Sequence, residues 1–222
     1  MLRIFDNDKP YWVTPRYAEQ HIQSAWLGQC TSTGLISRLI RHGTQGVHSH
    51  SMLFARNGGV DALELREFKG GQRRTLTYHI QQPGRIDVFS PDLSRWPEFD
   101  AAAAVAAMRQ LTNQEYGWLG VWRMTARRVP FLWYLYPPST TDTLPTPDSP
   151  IPQPFCSHAV SLALHQGGGV DVVPRQPHAT VAPAQLTTSL FFLYEFTIAS
   201  PWCAKQYGRR ILTEAENNSF QE

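Results

Sequence analysis

The spacing of apolar residues divides the chain into a mixed start, a strand-rich middle and a later part that alternates helix and loop. Within residues 1–45, Leu35, Ile36, Leu39 and Ile40 recur at helical spacing, which predicts a short helix from Thr33 to His42. From His48 the period falls to two. Val47–Ala55 reads as a strand, Asn57-Gly58-Gly59 as a tight turn and Val60–Phe68 as the returning strand. Lys69-Gly70-Gly71 predicts a second turn before a strand over Arg73–Ile80, and Pro83-Gly84 leads into Arg85–Ser90. The expectation is a meander of about four antiparallel strands.

Pro97, Glu98 and Asp100 then supply a rigid, acidic first turn for a helix over Ala101–Leu111, whose alanines permit a close backbone approach to a sheet. Residues 137–154 contain seven prolines, which excludes regular helix or a central strand and predicts a long surface loop inside one domain. A compact helix follows over Cys156–Gln166, closed by Gly167-Gly168-Gly169. Leu190–Ile198 reads as a late apolar strand, and the polar residues from about 204 read as a frayed tail. The aromatic run Phe131–Tyr136 reads first as core, with a substrate-lining or membrane-touching patch as the alternative.

Composition limits the function classes. With 42% hydrophobic and 17% charged residues in 222, the chain is a folded domain and not a disordered one. A net charge of +2 does not call for nucleic acid, and Arg73-Arg74 and Arg127-Arg128 are short enough to be solvated surface. No apolar run is long enough for an integral membrane segment. The N-terminus lacks the apolar stretch of a signal peptide, so the expectation is synthesis in the cytoplasm, with packaging in a virus particle or lysis as routes of release. Three cysteines, Cys30, Cys156 and Cys203, suit neither a disulfide framework nor a four-cysteine zinc site, and leave at least one thiol free or paired with another chain.

Cys156 stands where a proline-rich loop opens into a helix. There the positive end of the helix dipole favours a thiolate, and the free N–H groups of the first turn can donate to an oxyanion. His50 shares a strand face with His48, Met52 and Phe54, and a histidine projecting from a sheet towards a helix N-terminus suits a general base. Glu64, on the next strand, is placed to accept from the second imidazole nitrogen. Glu67 points the other way, so one of the two can reach His50. A zinc site from His48, His50, Cys156 and His158 is a competing reading, although neither pair has a common structural zinc spacing.

In their order, Ser49-His50 on a strand, Leu63-Glu64 on the next before a Gly-Gly turn, and Phe155-Cys156-Ser157 opening a helix resemble the circularly permuted papain-like cysteine hydrolases of the NlpC/p60 superfamily. Ala182-Pro183-Ala184-Gln185-Leu186 with Ser189 is similar to the threonine-proline-x-x-leucine segment that follows their cysteine helix. Tyr116-Gly117-Trp118-Leu119-Gly120 is similar to the tyrosine-containing stretch before it. Two departures stand out: His158 replaces the acid many members carry after Cys-Ser, and the proline-rich segment is an unusual insertion.

The resemblance covers about residues 30 to 195 and implies an α+β papain-like domain with Cys156 as nucleophile, His50 as base and Glu64 as orienting residue. It implies no cofactor, and as first substrate an amide in a cell-wall (peptidoglycan) peptide. The alternatives are a lipid ester or thioester, as in permuted relatives of the lecithin retinol acyltransferase type, and a structural or binding module of a larger particle, such as a virion tail, with an idle site.

Overall fold

A computed structural model describes residues 5–66, 69–117 and 154–220. Its architecture is α+β, with helices packed against a seven-stranded sheet. In chain order the strands are β1 (Trp12–Val13), β2 (Leu27–Ser32), β3 (His50–Arg56), β4 (Val60–Arg66), β5 (Gly70–Thr75), β6 (Gly84–Pro91) and β7 (Phe192–Ile198). The helices are α1 (Pro15–His21), α2 (Leu35–Thr44), α3 (Leu76–Ile80), α4 (Ala101–Leu111), α5 (Cys156–Leu162), α6 (Pro183–Thr187), α7 (Pro201–Tyr207) and α8 (Arg210–Phe220). The sheet order is β1-β7-β6-β2-β3-β4-β5. Among the described strands, only the short β1 runs parallel to its neighbour.

The predicted meander holds for β3, β4 and β5 and then ends. β6 does not pair with β5. It crosses to the other side of the hairpin and pairs with β2 and β7. The cause lies in the segment expected as strand through Ile80. Thr75 accepts a hydrogen bond from the Tyr78 backbone N–H, Leu76 is fully buried, and Leu76–Ile80 coils into α3. That turn carries the chain away from the sheet edge.

Alternation along the strands builds two cores. One face of the sheet presents Leu27, Leu53, Leu63 and Phe89 to α4 and α5, and the other presents Met52, Phe54, Val88 and Phe196 to α1. At about 1.5–3 kcal/mol for each fully buried large apolar side chain, these layers are the main favourable term in folding.

The alanines of α4 do permit a close approach, chiefly to the far end of the cysteine helix. A Cβ on Gly167 would lie 2.6 Å from the Ala103 carbonyl oxygen and 2.7 Å from the Ala107 methyl. At this crowded point the helix widens into a π turn over Ala163–Gly167. At the other end of α4, a Cβ on Gly71 would sit 2.0 Å from the Thr112 carbonyl oxygen, so glycine lets β5 pass beneath the helix terminus.

The expected frayed tail is instead ordered as α7 and α8. Ser200 caps α7 ahead of a first-turn proline, and Cys203, Ile211 and Ala215 close a third cluster over Trp12. The start of the chain, read only as mixed, supplies β1, α1 and the central strand β2. The aromatic run 131–136, Arg127-Arg128, Glu67 and nearly all of the proline-rich segment lie outside the described residues.

Candidate active site

His50 is the first residue of β3, so its ring sits at the end of the strand. The register sets Leu53 opposite Leu63. One further step puts Glu64 opposite Met52, a diagonal neighbour of His50 on the same face. His50 Nε2 lies 2.6 Å from Glu64 Oε2. A hydrogen bond and charge interaction join His50 to the Cys156 side chain, which opens α5. The three sequence-predicted residues therefore meet.

Local chemistry explains their setting. Phe155, the residue capping α5, is extended and offers no side-chain cap, so the first-turn N–H groups have no side-chain acceptor from it. Ser157 Oγ donates to the Val181 carbonyl at 2.7 Å, tying the helix to the segment before α6. Gln29 Nε2 on β2 donates to the Pro183 carbonyl at 3.2 Å and ties that segment to the sheet. The segment Val181–Pro183 thus links the cysteine helix to the sheet. Of the tyrosine-containing stretch, Tyr116 is buried in the helix-side core, and the Gly117 N–H donates to the Pro154 carbonyl just ahead of Cys156 at 3.0 Å.

His79, expected on a strand, joins this cluster from a helix. Its Nε2 lies 3.3 Å from Glu64 Oε1, so the carboxylate is held between two imidazoles with no exposed surface of its own. The available signal was the cap at Thr75, which turns His79 inward on α3 and takes it off a strand face.

The electrostatics follow from these contacts. Burial lowers the proton affinity of His50, but the negative charge and hydrogen bond of Cys156, together with Glu64, overcome it and raise its pKa to about 10. Burial works against ionising Glu64, yet the hydrogen bond from His50 and the close approach of His79 hold its carboxyl well below the usual carboxylate range. Cys30, directly across from His50 on β2, is a different kind of thiol. Burial and the charge of Glu64 push its pKa far up, which keeps it protonated, and burial does the same to Cys203.

His48 does not share the face of His50. It precedes the strand and is fully buried, with Nε2 2.8 Å from Asp87 Oδ2. Asp87 aligns with Gln29 and Ser51, which is the face opposite to His50. Asp87 also accepts from Arg85 Nε at 3.1 Å and from Thr197 Oγ1 at 2.6 Å. These partners keep its carboxyl below its ordinary value despite burial. His158 is buried on the first turn of α5, its ring 5.6 Å from that of Phe155. Among the described residues, no three His, Cys, Asp or Glu side chains converge as metal ligands.

A narrow cleft of about 50 Å³ reaches this cluster from the His50 side, with Cys30, Glu64, Arg66, His79 and Gln82 in its wall. Cys156 itself is 2% exposed. A larger cavity of about 680 Å³ lies between Asn7–Trp12 and α8, but neither Cys156 nor His50 lines it. The smaller cleft is the one beside reactive groups.

The buried carboxylate gives a pH test. The lowered pKa of Glu64 contributes stability that is present above about 4.5, its ordinary value, and is lost as pH falls towards the depressed native value. Glu64→Gln should cost about 1.5–3 kcal/mol at pH 7, the worth of a hydrogen bond to a charged group. In urea unfolding, the gap from wild type should narrow below pH 4.5. A gap that stays constant into acid would mean that the ionised carboxylate is not its source.

No family model matches the chain, and no curated protein matches it. Among solved structures it is similar to metalloprotein yiiX from Escherichia coli O157:H7, with a TM-score of 0.52 and 12% identity over 81% of this chain and 98% of that one. The likeness is one of fold, an α+β arrangement around an open sheet.

Proposed function

We propose that this protein is a cysteine hydrolase of the circularly permuted papain-like type, acting on an amide bond, with a cell-wall peptide as the first substrate class. The observation that carries the reading is the chain of contacts Cys156–His50–Glu64, with the cysteine at a helix N-terminus. The substrate class comes from the sequence resemblance.

In this mechanism His50 holds the proton taken from Cys156. The thiolate attacks the scissile carbonyl carbon, and the carbonyl electrons move to an oxyanion facing the first-turn N–H of α5. Collapse of that intermediate breaks the C–N bond, with His50 giving its proton to the departing amine. Water, deprotonated by His50, then attacks the thioester and releases the acid and the cysteine. Glu64 keeps one imidazole nitrogen engaged so that the other faces sulfur, and His79 keeps Glu64 in place.

The name of yiiX raises a metal as a second possibility for these residues. A zinc site would need His48 and His158 to join His50 and Cys156, but His48 is bound to Asp87 on the other sheet face. Stoichiometric zinc in the purified protein that disappears in Cys156→Ala would overturn the hydrolase reading.

The substrate test is incubation of the purified protein with peptidoglycan fragments and, separately, with short-chain esters. Release of new amino termini from the fragments, absent in Cys156→Ala, is the expected result. Turnover of esters alone would move the protein to the lipid hydrolase or acyltransferase class. Turnover of neither would favour a structural module with an idle site.

A further inference from the structure

We infer that Arg66 forms an anion-binding subsite in the cleft beside His50, so that the preferred acyl substrate carries a carboxylate that reaches this cleft; this rests on the hydrolase reading above. Glu64 and Arg66 are two residues apart on β4 and share a strand face, so the guanidinium lies on the same side of the sheet as His50. Both residues line the cleft that reaches His50.

The acids and cations of that wall are unevenly committed. Glu64, the carboxylate in the lining, has one oxygen at His50 and the other at His79. Arg85, the other guanidinium, is 2% exposed and is engaged by Asp87 and by both the backbone and side-chain oxygens of Asn7. Arg66 differs. Its hydrogen bond goes to the neutral Tyr78 hydroxyl at a long 3.4 Å, and no carboxylate among the described residues pairs with it.

A half-buried guanidinium in a narrow cleft keeps most of its five donors for an incoming group, and its fork geometry fits a carboxylate. Gln82, with an amide that can donate, and Ser32, with a hydroxyl, line the same wall. The cleft therefore presents donors and positive charge, with its own acid already occupied. Neutral or cationic acyl groups would leave Arg66 unmatched there.

Two small alkylating agents of similar size test this directly on the native protein: iodoacetate, which is anionic, and iodoacetamide, which is neutral. The readout is the ratio of their rates at Cys156, measured by mass spectrometry of the cysteine peptide. In wild type the ratio should exceed that of the urea-unfolded chain. In Arg66→Gln it should fall about tenfold, the loss expected for a charge-assisted hydrogen bond. Arg66→Lys, which keeps the charge, should retain part of it.

A wild-type ratio no higher than that of the unfolded chain would overturn the subsite whether or not the variants fold, and so would equal ratios in wild type and Arg66→Gln. Failure of the underlying reading has a different signature: iodoacetamide itself would then label Cys156 no faster than in the unfolded chain.

Discussion

Cys156→Ala should abolish hydrolysis, lowering kcat/KM by at least about 10⁴-fold while leaving the fold intact. The magnitude follows from the loss of a covalent route, since removing one member of a nucleophile–base pair leaves only binding and oxyanion stabilisation. The fold should survive because the thiol is a small group at the start of a helix whose remaining residues through Leu164 stay buried. The measurement is turnover of the cleaved substrate, with urea unfolding as the control. Cys30→Ala and Cys203→Ala should retain turnover, because burial keeps both thiols protonated. Activity that survives in Cys156→Ala and is lost in Cys30→Ala would transfer the nucleophile to β2.

His50→Ala has the second large effect, a loss of about 10²–10⁴-fold near neutral pH, the usual range for a general acid–base group. Its sign with pH can be worked out. The native pKa of His50 is raised from 6.5 to about 10, so the pairing with Cys156 and Glu64 contributes stability in full below about 6.5 and loses it as pH rises through about 10. Wild-type activity that needs a protonated His50 for the leaving amine should therefore decline on the alkaline side near pH 10. In His50→Ala that alkaline decline should vanish, and the residual thiol reactivity should grow with pH towards about 8.5, where ordinary thiols ionise. A variant with the wild-type alkaline limb would assign that limb to another group.

Much of the site was legible because it depends on local signals in a particular order. The proline-rich run marked Cys156 as a helix start, two-residue alternation put His50 and Glu64 on adjacent strands, and the Asn-Gly-Gly turn fixed their hairpin. What stayed hidden were partners brought in by tertiary packing. His79 was masked because Arg73–Ile80 contains enough strand-forming residues to outweigh the cap at Thr75. The position of β6 could not be read from hairpin logic, since its neighbours β2 and β7 lie far away in sequence. The tail looked frayed because α8 buries little beyond Ile211 and Ala215, too narrow a stripe to stand out among polar residues.

His48 illustrates the same limit in reverse. Strand periodicity placed it beside His50, but the chain has not yet entered β3 at that residue. The buried Asp87–Arg85 pair draws the ring to the opposite face. A charged pair in the interior gains from each further hydrogen-bond donor it collects, and that gain outweighs the preference of an isolated histidine for one side of a strand.

The most direct measurement for the central claim is the pH-dependent alkylation rate of each cysteine, resolved by mass spectrometry in wild type and in His50→Ala. Near neutral pH Cys156 should label fastest of the three thiols in wild type and slow by about 10²-fold when His50 is removed. Equal labelling of Cys30, Cys156 and Cys203, with the pH dependence of the unfolded chain, would contradict it.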